Sequence, residues 1–375
     1  MKETFDYHKA NPHVSLEGHV KSRIVELGRA LDGKTPIYLD TNFWVNLQKA
    51  AHTDKAPEDH RKLLRLLRHA AAKGRILCPV SESIFLELLK QSDLKSRLET
   101  AALIDELSLG VAMAEPQARA TTELAHFVHS IAGDKNTLHP LSHLVWHKVP
   151  YVLGLTHPNP TPFNEETRLV IQKAFFDEMW DIPLAKMVGM LTELPDPVEL
   201  NLDDSAAILN AGIAENADSI RSFQQVFEAE LQGVADLYAD TLADIINQMN
   251  PDEKARTAPK DETEKAEVRR MAYNLLFHAL KSNKEVRRSL PSLYVHACLH
   301  AAIRWDKLRR LKGNDLYDFN HASAALAHCR LFFTERPLHA LAAGKNIGLD
   351  RMFDCQIVSS VPDAIACLEN LPKAS

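Results

Sequence analysis

The sequence predicts an α/β fold: a three-layer α/β/α domain with a central parallel sheet, split by a large all-helical insertion. Three observations predict it. Short apolar runs bounded by turn residues stand near both ends of the chain, at 37–39 (IYL), 76–80 (ILCPV) and 331–334 (LFFT). The first two are each followed by a segment of helical period, the β-α-α-β-α succession that opens a parallel sheet. From about 95 to 310 the pattern is helical with almost no strand signal, as in DSIRSFQQVFEAELQGVADLYADTLADIINQM.

Residues 1–33 read as an N-terminal helical extension, SLEGHVKSRIVELGRAL, stopped by Asp32-Gly33. In the first half of the α/β domain, 34–94, a strand entered through Pro36 ends on Asp40, and FWVNLQKAA begins a helix. Asp40 therefore lies at the carboxyl end of a strand, where ligands collect in such sheets, although on its own it reads as a helix cap. A loop (HTDKAPED), a basic helix over 59–73, Gly74 and the strand RILCPVS follow, with Ser81 placed to cap ESIFLELLKQ. Within the insertion, 95–310, PNPTPFN (158–164) and LPDPVEL (194–200) read as turns, and 250–265 as an exposed loop. The second half, 311–375, holds the helix DLYDFNHASAALAHC, the strand LFFT and one or two edge strands in NIGLDRMFDCQIVSS.

With 375 residues, 45% hydrophobic and 25% charged, the chain is an ordinary globular one with a sizeable core. It has no signal-peptide succession and no apolar run near the roughly 18 residues of a membrane helix, so the expected location is cytoplasmic. Its five cysteines show no CxxC spacing, which argues against a zinc knuckle and a disulfide framework. A net charge of −6 argues against an abundant non-specific nucleic-acid binder. Two basic helical segments remain, 60–75 and 304–312, each directly before an acidic motif; a solvated face explains either one equally well.

Five acids stand out by position. Asp40 ends the first strand, Glu87 lies in the helix after the second, Asp315 and Asp318 open a late helix, and Glu335 follows LFFT. Residues three apart share a helix face, so Asp315 and Asp318 can point at one spot, although acids in a first turn are also ordinary capping chemistry. Clustered carboxylates suit hard divalent cations and leave coordination positions for water and phosphate. In this order, IYLDTN (37–42), ILCPVSESIFLEL (76–88) and DLYDFNHASAALAHCRLFFTER (315–336) resemble the PIN-like domain of metal-dependent nucleases.

The resemblance covers 34–94 and 311–375. It implies that Asp40, Glu87 and Asp318 are the main acids, that Asn42 and Thr334 orient the site, and that Asp315 is an accessory ligand. It also implies Mg2+ or Mn2+ as cofactor, a water nucleophile, and nucleic acid as partner, RNA before DNA, with no membrane; a homodimer is compatible with the helical block, and no antitoxin or other protein partner is specified. Where the family carries an acid two residues after the threonine, this chain has Arg336, with Glu335 one residue early; either Glu335 replaces that acid or the fourth ligand is absent. PIN-like proteins that lose acids persist as binding scaffolds, which is the alternative function; a partner groove on the 218–249 stripe belongs to that reading.

A haloacid-dehalogenase-type phosphatase ranks lower, because Asn42 stands where it needs a second Asp and LFFT follows the acidic pair instead of preceding it. Arg61, Arg65, Arg68, Arg309, Arg310 and Arg336 are candidates for holding the nucleic-acid backbone. His321, one turn after Asp318, can orient a carboxylate or contact phosphate, against a plain packing role. The helically spaced histidine sets (126/129, 139/143/147, 296/300) lack HExxH and read as structural or surface groups.

Overall fold

The computed structural model describes residues 2–133, 138–159, 162–191, 202–216, 220–250, 261–306 and 309–371. Strands β1 (Thr35–Leu39), β2 (Ile76–Leu77), β5 (Leu331–Phe333) and β6 (Gln356–Val358) form a parallel sheet in the order β2-β1-β5-β6. Ile37 pairs with Leu331 and Leu39 with Phe333, while Thr35 pairs with Ile76 on the other side. The registry continues past the strands, with the Asp40 amide donating to the Phe333 carbonyl (3.0 Å) and the Thr334 amide to the Val358 carbonyl (2.9 Å). Both bonds fix residues just beyond a strand end, so Asp40 and Thr334 emerge side by side at the carboxyl edge. β1 is central and has helices against it, and its Ile37, Tyr38 and Leu39 are wholly buried, as strands covered on both faces must be.

The two sequence halves thus meet in one sheet. The expectation of an all-helical stretch over 95–310 is corrected: β3 (Val111–Met113) and β4 (Trp146–Lys148) lie there as an antiparallel pair. Val80 joins this pair to the main sheet, its amide donating to the Val111 carbonyl (3.1 Å) and its carbonyl accepting from the Met113 amide (2.8 Å). The rest of the described block is helical. Helix Phe223–Gln248 packs along Glu262–Ser282 and Pro291–Trp305, and its stripe of Val226, Phe227, Leu231 and Val234 is buried there. Only Leu237 of that stripe is largely exposed, so the stripe is core. The expected turn at 194–200 and most of the loop at 250–265 lie outside the described residues. No described helix is long and apolar enough to cross a membrane.

The N-terminal helices Lys2–Ala10 and Leu16–Ala30 pack on Glu165–Trp180 around a small second core of Val20, Ile24, Tyr151, Phe176 and Trp180. Gly28 permits the seating of the second of these helices. A Cβ there would stand 2.4 Å from the Cα of His143 and 2.7 Å from its carbonyl oxygen, and backbone cannot step aside. Helix propensity alone predicts that Gly28→Ala stabilises by about 1 kcal/mol. The close approach predicts the opposite sign, a loss of about 1–3 kcal/mol in urea unfolding. A variant more stable than the native protein would show that the helix does not seat against residue 143.

Candidate active site

Asp40 caps helix Thr41–His52, its Oδ1 accepting from the Phe43 amide (3.2 Å). The cap reading of Asp40 is thus what the structure shows. Ser81 caps Glu82–Leu89 in the same way, accepting from the Ile84 amide (3.4 Å). That short helix turns Glu87 back toward the sheet edge, where its Oε2 accepts from the Thr41 hydroxyl and from His321 Nε2 (2.8 Å). His321, almost wholly buried on helix Gly313–His328, also meets the Tyr38 hydroxyl through Nδ1 (2.7 Å), and Tyr38 meets Ser81 Oγ (2.5 Å). With the ring protonated, a single donor direction satisfies the chain, from Nε2–H to Glu87, from Nδ1–H to Tyr38, and from the Tyr38 hydroxyl to Ser81.

The ionisation of these groups is coupled. Burial by itself would depress the His321 pKa, but the hydrogen bond to Glu87 and the charges of Glu87, Asp40 and Asp318 raise it. Burial would raise Glu87, and the bonds from His321 and Thr41 with the nearby Lys90 charge bring it below its ordinary value. Asp40 is raised by burial, which His321, Thr334 and the Phe43 amide only partly offset. Asp318 goes furthest: burial first, then the charges of Glu87, Asp40 and Asp315, push it up to about 7 against the pull of His321. No hydrogen bond reaches the Asp318 carboxylate among the described residues.

Asp40, Glu87 and Asp318 are therefore brought together around one imidazole. Each bears on the charge of that ring, but their ligand atoms do not all lie within 4.8 Å of one another; among the described residues the only three His, Cys, Asp or Glu side chains that do are His8, His19 and Asp177. As a donor set the three acids fit a hard divalent cation: all are oxygen ligands, and Asp318 holds unfilled acceptor capacity and a charge that wants neutralising.

Asp315 is adjacent but engaged, with Oδ2 accepting from the Lys312 amide (2.8 Å) and Oδ1 from Arg309 (2.5 Å). Glu335 is exposed and accepts from the Asn42 amide group (3.0 Å), while Asn42 Oδ1 accepts from Asn46 (3.0 Å). Asn42, Thr334, Glu335 and Arg336 line a groove of about 350 Å³ with His60 and Ser359. Arg61 and Arg65 both pair with Glu58, and Arg68 pairs with Glu106, so these three are occupied on their helix surface. Arg309 and Arg310 line a separate cavity of about 590 Å³ beside Trp305.

Sequence reasoning passed over Thr41, Tyr38 and Lys90. Thr41 had a signal, since it follows Asp40 directly. Lys90, exposed at the end of the Glu87 helix with Nζ 3.9 Å from the Tyr317 ring centroid, had none. Comparisons with family models, with curated proteins and with solved structures return no match for this chain.

Proposed function

We propose that Asp40, Glu87 and Asp318 hold Mg2+ or Mn2+ and that the protein hydrolyses phosphodiester bonds, in RNA before DNA. One observation carries the reading. Four titratable side chains from segments far apart in sequence meet at the carboxyl edge of a parallel sheet and perturb one another's ionisation, the usual electrostatic mark of a functional site. A bound cation would neutralise the acids, activate water and stabilise charge on the leaving oxygen. The chain's own residues do the rest. Thr41 and His321 fix the Glu87 carboxylate, and Thr334 steadies Asp40. Lys90 and Arg336, both exposed near the acids, supply positive charge to a phosphate backbone. Asp315 and Glu335 act as outer acids.

A binding scaffold without turnover is the second reading, and Arg336 at the place of an acid favours it. The phosphatase reading needs an acid at residue 42, and Asn42 instead bonds Glu335 and Asn46. Incubation of labelled single-stranded RNA and DNA with Mn2+, Mg2+ or EDTA tests the proposal. Manganese-dependent cutting of RNA, abolished by EDTA, is expected. Retardation of RNA on a gel without cutting under any ion would replace the nuclease by the scaffold.

A further inference from the structure

We propose that His8, His19 and Asp177 form a second cation site, for a divalent ion of the zinc class, which ties the N-terminal helices to the body of the protein. The three residues come from three helices, Lys2–Ala10, Leu16–Ala30 and Glu165–Trp180. His8 Nε2 lies 2.7 Å from Asp177 Oδ2 and His19 Nε2 lies 2.9 Å from Oδ1, so both rings aim the same nitrogen at one carboxylate. The rings stand edge to face with centroids 4.6 Å apart, and His19 packs on Phe176. His8 is 1% exposed, whereas His19 and Asp177 keep a solvent-facing edge through which an ion can enter.

The donor chemistry separates this site from the carboxylate cluster. Two imidazole nitrogens and one carboxylate are ligands for zinc, cobalt or nickel, while three carboxylates suit magnesium or manganese. Three protein ligands leave a fourth, tetrahedral position for water. Uptake replaces the two Nε2–carboxylate hydrogen bonds by coordination, each Nε2 giving up any proton it donates to Asp177 as the ion binds. The neighbouring cations are anchored elsewhere: Lys173 donates to the carbonyls of Asn11 (3.1 Å) and Val14 (2.9 Å), and Arg23 lies over Trp180 with its Nε 3.6 Å from Asp177. They weaken the site without filling it. Without an ion, the same contacts form a hydrogen-bonded clasp.

Zinc titration of the full chain after chelator dialysis tests the proposal, followed by calorimetry and thermal unfolding. The expected result is one equivalent bound and a rise of about 5 °C in Tm. His19→Ala and Asp177→Asn lose at least about tenfold in zinc affinity, while Asp40→Asn plus Asp318→Asn binds zinc as the native protein does. Equal zinc affinity in His19→Ala and the native protein overturns the site, as does uptake lost only in the Asp40/Asp318 variant. Should the N-terminal variants fail to fold, Co2+ added to the native protein gives the answer. Intense tetrahedral visible bands support the site, and a pale octahedral spectrum overturns it.

Discussion

Replacing Asp40 and Asp318 together by Asn is expected to lower RNA cleavage by about 10³-fold or more, the loss of roughly 4 kcal/mol of transition-state stabilisation. The substitution is chosen so that a chemical loss cannot be mistaken for a structural one. Asn ranks with Asp as a helix cap, and its side-chain oxygen can still accept from the Phe43 amide, so helix Thr41–His52 keeps its start. Asp318 makes no hydrogen bond among the described residues, so an amide in its place breaks none. What disappears is two negative charges. RNA affinity on a gel should hold or tighten, since those charges repel phosphate. Cleavage within a few-fold of the native rate would remove the carboxylates from the mechanism.

Asp318→Asn alone is expected to stabilise the protein at alkaline pH. Burial and the neighbouring acids raise Asp318 from 3.8 to about 7, so between those values the folded state binds a proton that the unfolded state has released. Stability from this group is therefore lost as pH rises from about 4 to about 7, and the deficit is complete above that window. The amide never ionises and carries no such deficit. At roughly 1–2 °C per kcal/mol for a chain of this size, several degrees of added Tm at pH 8 should shrink toward zero at pH 4. Mn2+ should raise the Tm of the native protein at pH 8 and not that of the variant. Equal melting of the two proteins at pH 8 would mean that the carboxyl group is better solvated than its surroundings imply.

Much of the sheet was legible because its signals are local. IYL and ILCPV are apolar and followed by helical period, LFFT is apolar and preceded by it, and they became β1, β2 with its Val80 bridge, and β5. β3 and β4 were not legible, for local reasons as well. VAM and WHK are three residues each; Ala and Lys have little strand preference, and VAM lies between two long helices after the left-handed Leu109-Gly110 turn. Val111 pairs with Lys148 and Met113 with Trp146, and Val80 bonds to β3 from the main sheet, contacts that a sequence window does not contain.

In the site, the positions of Asp40, Glu87 and Asp318 were readable from motif order. Their electrostatics were not, because Glu87 meets Thr41 and His321 across 46 and 234 residues. Asp315 shows the reverse case. Its place in a first helical turn was visible, and capping chemistry together with Arg309 now occupies both of its oxygens. The His8–His19–Asp177 set gave no signal, since its members stand as much as 169 residues apart.

Manganese titrated by calorimetry into a protein with its carboxylates intact, beside the Asp40→Asn plus Asp318→Asn variant, bears most directly on the nuclease reading. Both samples carry His19→Ala, so that the nitrogen-bearing site is weakened alike in each. Heat of binding at one or two equivalents in the first sample and none in the second is the predicted result. Identical isotherms would mean that the carboxylates around His321 hold no cation, and metal-dependent hydrolysis at this sheet edge would have to be given up.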